Sequence, residues 1–203
     1  MNETSIRKMD FKDLKSVARI HQKAFQDFFL TQLGYRFLYQ YYKLIIRDKD
    51  SIAYVSCSNN NISGFVCGSN NPEGFYKLFL LSSHLFFLPL IVALFKNPML
   101  IFRIFSSLIK VFNNSNKESF PKGCAELSSI AVVKKGGGTA NNLLSAFSGE
   151  VRRKGTRYIY LNTNKERNER VHNFYKKNKF EQVGIIRKNG REVSEYLLDL
   201  KEE

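Results

Sequence analysis

The chain has 203 residues, 43% hydrophobic and 25% charged, with 18 phenylalanines, a composition that can bury a sizeable core and that excludes wholesale disorder. Lysine and arginine total 32 against 18 acidic residues, a formal charge of +14, which favours anionic partners such as phosphates, nucleic acid or lipid headgroups and otherwise serves solubility. Cys57, Cys67 and Cys124 form no CxxC pair, and His21, His84 and His172 have no ligand spacing, so neither a disulfide framework nor a metal site is expected.

Met1 to Asp10 carries charges and no apolar run, unlike a secretory signal, so the expectation is a cytoplasmic protein with reduced thiols. Ile6 to Met9 reads as a short strand, and Asp10, with Asp13 three residues on, as a helix N-cap. Leu14, Val17, His21, Phe25 and Phe28 recur at spacings of three and four, which predicts a helix with one inward face. Phe37 to Ile46 continues helical after Gly34. Ser51 to Cys57 and Ile62 to Gly68 are rich in β-branched and aromatic residues and flank Asn59, Asn60 and Asn61, which predicts a hairpin.

From Phe75 to Phe112 the chain is densely apolar, and its uncharged stretch from Leu78 to Phe95 touches the lower edge of a membrane-spanning length. Pro72, Pro89, Pro98 and Pro121 lie in or beside this region. Proline interrupts the helical hydrogen-bond ladder, so two or three short helices are expected rather than one span. Glu126 to Val133 reads as a buried strand, and Gly136, Gly137 and Gly138 open a helix with Leu143, Leu144, Phe147 and Val151 on one face. Tyr158 to Asn162 is the next strand, and Asn168 to Lys177 a helix with Val171, Phe174 and Tyr175 together. Gln182 to Lys188 and Arg191 to Leu200 flank Asn189-Gly190, a strong hairpin signal because both residues tolerate positive φ. The order is β, α, α, β, β, helical insert, β, α, β, α, β, β. That is one domain over residues 1–203 with an apolar insertion at 75–121.

A strand, a glycine turn and a helix can hold a phosphate, since glycines let backbone amides approach the anion and the helix N-terminus adds partial positive charge. Lys134 and Lys135 strengthen that reading, although the same pattern also makes a plain flexible connection. No GK[ST] follows, which excludes a P-loop, and no acidic ribose partner supports a dinucleotide fold.

Ile130-Ala131-Val132, then Lys135-Gly136-Gly137-Gly138-Thr139-Ala140 and Leu143-Leu144, resemble the pyrophosphate-binding segment of the GNAT N-acetyltransferases. Lys135 stands for the usual Arg or Gln, after a shortened loop. Asn168, Val171, Phe174-Tyr175 and Phe180 are similar to that family's N-x-x-A-x-x-F-Y-x-x-x-G-F element, with Lys179 in place of its glycine. The resemblance implies an α/β fold whose mixed, mostly antiparallel central sheet is flanked by helices, with a helical insertion between the third and fourth strands. It implies acetyl-CoA as cosubstrate, no metal, and transfer of acetyl to a primary amine of a small molecule, an amino sugar among the candidates.

The resemblance also implies roles. Pantetheine would lie between the strands of Glu126 and Tyr158, bonded near Ile130 and Val132 and to Asn168. The diphosphate would be held by Lys134, Lys135, Gly136, Gly137, Gly138, Thr139 and Ala140. Glu126 stands where several members carry the base that deprotonates the amine, and Tyr175 where they carry the acid that protonates the departing thiolate. A peptide or protein amine is the alternative acceptor. A non-catalytic membrane- or nucleic-acid-binding module on the same scaffold is the alternative class. Basic residues spread along the chain without an RNP-like or helix-turn-helix pattern, which argues against nucleic acid. The insert is expected to fold over the acceptor site, with a homodimer contact or a peripheral membrane contact as alternatives.

Overall fold

The computed structural model describes residues 4–26, 28–59, 61–96, 123–134, 136–166, 168–188 and 191–201. Strands β1 (Thr4–Lys8), β2 (Ser51–Ser58), β3 (Asn61–Ser69), β4 (Cys124–Val132), β5 (Tyr158–Asn164), β6 (Glu181–Lys188) and β7 (Arg191–Asp199) form one sheet. Their order across it is β1-β2-β3-β4-β5-β7-β6. All pairings are antiparallel except β4 with β5, which run parallel because a helix connects them. Asn189-Gly190, read as the turn between β6 and β7, lies outside the described residues, but Lys188 and Arg191 pair across it.

The chain reaches the first helix through a capping box. Asp13 accepts from the Asp10 N–H at 2.8 Å and Asp10 accepts from the Phe11 N–H at 2.6 Å, around a 3-10 turn at Phe11–Asp13. Helix α1 (Leu14–Ala24) then buries Leu14, Val17, Ala18, Ile20 and His21. It ends earlier than the periodicity predicts: Phe25 caps it with φ −125° and ψ 48°, and Phe28 lies in the connection to α2 (Phe29–Gln32). Gly34, at φ 89°, leads into α3 (Tyr35–Arg47).

Between β3 and β4 the described part of the insert is α4 (Pro72–Leu81), a 3-10 turn (Ser83–Phe86) and α5 (Phe87–Lys96). Both described prolines sit in first turns, where a missing N–H breaks no ladder bond, and Asn71 caps α4 by accepting from the Gly74 N–H at 3.0 Å. Residues 97–122, with Pro98 and Pro121, lie outside the described residues. Helices α6 (Thr139–Arg153) and α7 (Glu169–Lys177) complete the chain order.

The helices divide between the two faces of the sheet. Helices α1, α3, α4 and the 3-10 turn pack on Val55, Phe65, Cys67 and Ala131, with Tyr42 and Phe86 fully enclosed. On the other face α6 and α7 pack on Val66, Ala125, Leu127, Ile159, Leu161 and Tyr196. Helices on both faces bury the middle of the sheet, including Phe65, Val66 and Cys67 of β3 and Cys124 to Leu127 of β4.

Helix α7 closes with two bonds of a Schellman turn, Phe180 N–H to Tyr175 O at 3.0 Å and Lys179 N–H to Lys176 O at 3.1 Å. That turn places Lys179 at φ 63°, the left-handed region that glycine fills without steric cost. Replacing Lys179 by Gly is therefore expected to raise stability by about 1 kcal/mol, read as a shift in the urea midpoint at unchanged slope.

Candidate functional site

The site begins where two strands part. β4 and β5 pair only over Cys124–Glu126 with Tyr158–Tyr160; among the described residues the ladder stops there, while β4 runs on to Val132 and β5 to Asn164. A bulge at the neighbouring β3–β4 ladder sets the divergence. Cys67 pairs with Ser129 and Gly68 with Leu127, leaving Ser128 as the extra residue. Gly68 permits it, because a Cβ there would lie 1.9 Å from the Glu126 carbonyl oxygen.

The bulge divides β4 between the two faces. Ala125 and Leu127 enter the cluster under α6 and α7, and Ile130 and Val132, half-buried, pack against that same cluster. Tyr175 joins them from α7, 5% exposed, its ring 5.3 Å from Phe180 and 5.8 Å from Tyr196. Burial pushes its phenol well above the ordinary range, so it is protonated at neutral pH. Tyr196 is held in turn by His172, whose Nδ1 lies 2.8 Å from its hydroxyl and whose Nε2 lies 3.0 Å from the Lys165 carbonyl.

Glu126 lies on the opposite face, 7% exposed. Its charge acts there on Tyr41 of α3, on Cys67 of β3 and on Tyr160 of β5. Burial is the larger cause at all three, and together with Glu126 it raises each of them above its ordinary value. All three therefore stay neutral near Glu126. Tyr160 adds a second carboxylate to this face, since its hydroxyl donates to Glu195 Oε1 of β7 at 2.5 Å. Glu195 passes close over Gly184, where a Cβ would come within 2.7 Å of Oε2.

The glycine turn lies at the far end of the parted strands. Val133 N–H bonds to Ser63 O at 2.8 Å, after which Gly136 and Gly138 take φ 93° and 72°. Nothing lies within 4 Å of a Cβ at Gly136, Gly137 or Gly138, so the turn is open on its outer side. Gly138 caps α6 without a side chain, and no acid stands in the first turn. The first N–H groups of the helix, at Thr139, Ala140 and Asn141, are therefore left to meet an anion. Lys134 is exposed beside the turn, whereas Lys135 lies outside the described residues. A cleft of about 660 Å³ continues from Gly136 and Asn141 to α7, where Arg170 and Lys177 line it.

Asn168 stands at the N-cap of α7 but its side chain does not cap it. Its amide nitrogen donates to Thr163 Oγ1 at 2.8 Å and to Asn164 O at 3.0 Å, which ties the helix to the end of β5 and leaves Oδ1 as the atom that can meet a ligand. On the Glu126 face a second cleft, of about 850 Å³, opens between Lys23–Phe28 and the β6–β7 arm at Arg187, Arg191 and Glu192. The described insert does not line it. Instead α4 packs against α3, where the rings of Phe75 and Tyr41 lie 6.0 Å apart.

Sequence reasoning singled out Glu126, Tyr175 and the glycine turn; it did not single out Gly68, nor Tyr160 and Glu195, which share the Glu126 face. A signal for Tyr160 was available: Tyr160, Asn162 and Asn164 are polar at alternate positions of a strand that otherwise reads as buried.

A sheet with one parallel pair that parts beside a bulge, and a glycine turn opening the helix between those strands, is the fold of the GNAT acetyltransferases. Solved structures agree over nearly the whole chain. An N-acetyltransferase from Staphylococcus aureus Mu50 superposes with TM-score 0.65 and 16% identity, over 98% of this chain and 99% of that one. The yncA protein of Salmonella typhimurium, solved with its cofactor acetyl-CoA, gives 0.60 and 15%, over 100% and 96%. A ribosomal-protein-alanine N-acetyltransferase from Brucella melitensis gives 0.61 and 14%, over 97% and 99%. At these identities the likeness is one of fold. No protein-family model matches the chain, and no match is found among curated protein sequences.

Behind the bulge His21 is 3% exposed, its Nδ1 2.6 Å from the Tyr42 hydroxyl, its Nε2 buried without a partner, and its ring stacked on Phe65. Burial lowers its pKa to about 4. The unfolded chain therefore binds the extra proton between about pH 6.5 and 4, and stability falls as the pH drops through that window, by roughly 3 kcal/mol in total. Glu150 and Asp199, held at about 2 by Arg153 and Arg157, lose their contribution only at lower pH. Urea midpoints between pH 7 and 5 are thus expected to fall in the wild type and to stay flat in His21→Gln.

Proposed function

We propose that the chain transfers the acetyl group of acetyl-CoA to a primary amine of a small molecule, as one cytoplasmic domain. The observation that carries this reading is the gap between β4 and β5, with a buried protonated tyrosine on one side and a buried carboxylate on the other. Attack on a thioester needs a neutral amine, and an alkylammonium ion has a pKa of roughly 10, so a group at the gap must take its proton.

Glu126 takes that proton, from the face shared with Tyr160 and Glu195. A backbone N–H of the parted β4 polarises the thioester carbonyl, and Ile130 and Val132 supply backbone bonds to the pantetheine arm. Tyr175 gives its proton to the thiolate that leaves. Asn168 reaches the arm through Oδ1. Lys134, Lys135, Gly136, Gly137, Gly138, Thr139 and Ala140 hold the diphosphate, and the residues present fit that charge, with open glycine amides, a helix without a side-chain cap and no acid in its first turn. The acceptor enters by the cleft between Lys23 and Arg191. An amino sugar suits a mouth that carries Lys23, Arg187 and Arg191 beside Glu166 and Glu192, where hydroxyls and an anionic group both find partners. A protein N-terminal amine is the alternative acceptor, supported by the open form of this cleft and by the named activity of the Brucella neighbour.

Acetyl-CoA at about a hundred times its Kd is expected to stabilise the wild type by about 2.7 kcal/mol, read as a rise in Tm. Gly138→Val should raise the calorimetric Kd at least roughly tenfold, because the turn can then no longer expose its amides. Equal affinity in the two proteins would remove the diphosphate assignment.

With an acceptor found by following thiol release across amino sugars, diamines and short peptides, Glu126→Gln is expected to lower kcat/KM about a hundredfold near neutral pH. Tyr175→Phe should lower kcat by about the same factor and leave the acetyl-CoA Kd unchanged. Wild-type turnover in either variant strikes out that residue's role.

A further inference from the structure

We propose that the outer face of the α4–α5 insert docks on an anionic membrane surface. The two helices divide their apolar side chains between two environments. Phe75 and Phe86 are buried, and the rings of Phe79 and Phe86 meet Phe37 of α3 at 6.4 and 4.8 Å. Leu80, Leu81, Phe87 and Leu88 turn the other way and are 50%, 80%, 66% and 64% exposed. These four residues flank the 66° bend between the helices, so they form one corner rather than scattered surface positions.

Charge selects the occupant of that corner. From Gly74 to Lys117 the sequence contains no Asp or Glu, yet it contains Lys77, Lys96, Arg103, Lys110 and Lys117, within a chain of net charge +14. The acid of the first turn of α4, Glu73, stands at the end of the helix opposite Leu80 and Leu81, roughly 10 Å away along the axis. Lys77 stands exposed on α4 one turn from Leu80 and Leu81, and large apolar side chains beside a cation, with no acid after Glu73 in the described insert, match an anionic bilayer: the leucine and phenylalanine side chains enter the acyl boundary and Lys77 remains with the headgroups. A second protein would also cover apolar surface, but an apolar corner with a lysine and no acid neither repels lipid nor demands a shaped partner.

The insert rests on a membrane and does not cross it. Among the described residues no single helix is long and apolar enough to span, and the bent pair passes only by length and composition. Its inner side chains are packed in the protein core, where lipid cannot surround them.

The test is co-sedimentation of the full chain with sucrose-loaded vesicles of phosphatidylcholine, alone or mixed with phosphatidylserine. Leu81→Glu combined with Phe87→Glu changes two exposed positions, so its thermal melt and its acetyl-CoA shift should match the wild type. The wild type is expected to pellet with phosphatidylserine vesicles, less so as salt is added, and the double variant to partition at least roughly tenfold more weakly. Lys77→Glu, which leaves the apolar corner intact, should also weaken binding to these vesicles. Equal pelleting of wild type and double variant overturns the proposal. So does a wild type that stays in the supernatant, whether as a monomer or as a dimer that the double variant dissolves.

Discussion

The close approach of Gly68 to the Glu126 carbonyl is the contact on which the rest of the site depends. Without a Cβ at 68 the two backbones can meet, Ser128 becomes the extra residue of a bulge, and β4 bends away from β5 after three paired residues. The gap then needs no other device. Parallel strands ordinarily bond to each other along their length, so a parted pair leaves peptide groups on both edges that must find partners.

The bulge also decides which side chain faces which helix layer. Before it Glu126 points toward α3 while Ala125 and Leu127 point toward α6 and α7; after it Ile130 and Val132 join the α6–α7 side. Two chemically different faces therefore meet at one vertex. One holds Tyr175 in an apolar cluster that keeps its phenol protonated, and the other gathers Glu126, Tyr160 and Glu195. The sheet thus keeps a protonated phenol and a buried acidic side chain on opposite sides of one gap.

The insert shows how a scaffold can acquire an apolar addition without losing its core. Phe75, Phe79 and Phe86 extend the aromatic cluster of Phe37 and Tyr41 on α3, so the addition is anchored by ring contacts of 4.8 to 6.4 Å. The face left over is what gives the sequence its membrane-like stretch. The same packing puts α4 behind Tyr41, the residue that senses Glu126, so the outer corner and the polar vertex share one element.

Local signals determined most of the fold and part of the site. The alternation and apolar runs of the strands, the Asp10–Asp13 capping box, the glycine turn and the order of elements are all properties of neighbouring residues, and each was legible in the chain. The expected helix from Leu14 to Phe28 failed at its end because the 3.6-residue period of the apolar positions continues through Phe25 and Phe28, although they pack as a loop. Asn168 stands at the start of the predicted helix, where an asparagine commonly caps with its side chain, but its amide donates instead to two acceptors on β5. Glu126 and Tyr175 could be singled out by motif, yet that they lie on opposite faces of one gap follows from the bulge at Ser128. Tyr160 and Glu195 stand 35 residues apart in sequence and meet only because β5 and β7 are neighbours in the sheet. Sequence fixes what each short segment prefers, since those preferences rest on backbone sterics and periodic burial. Which distant carboxylate, phenol and backbone amide come to share a cleft is decided by strand order and register, which no short segment encodes alone.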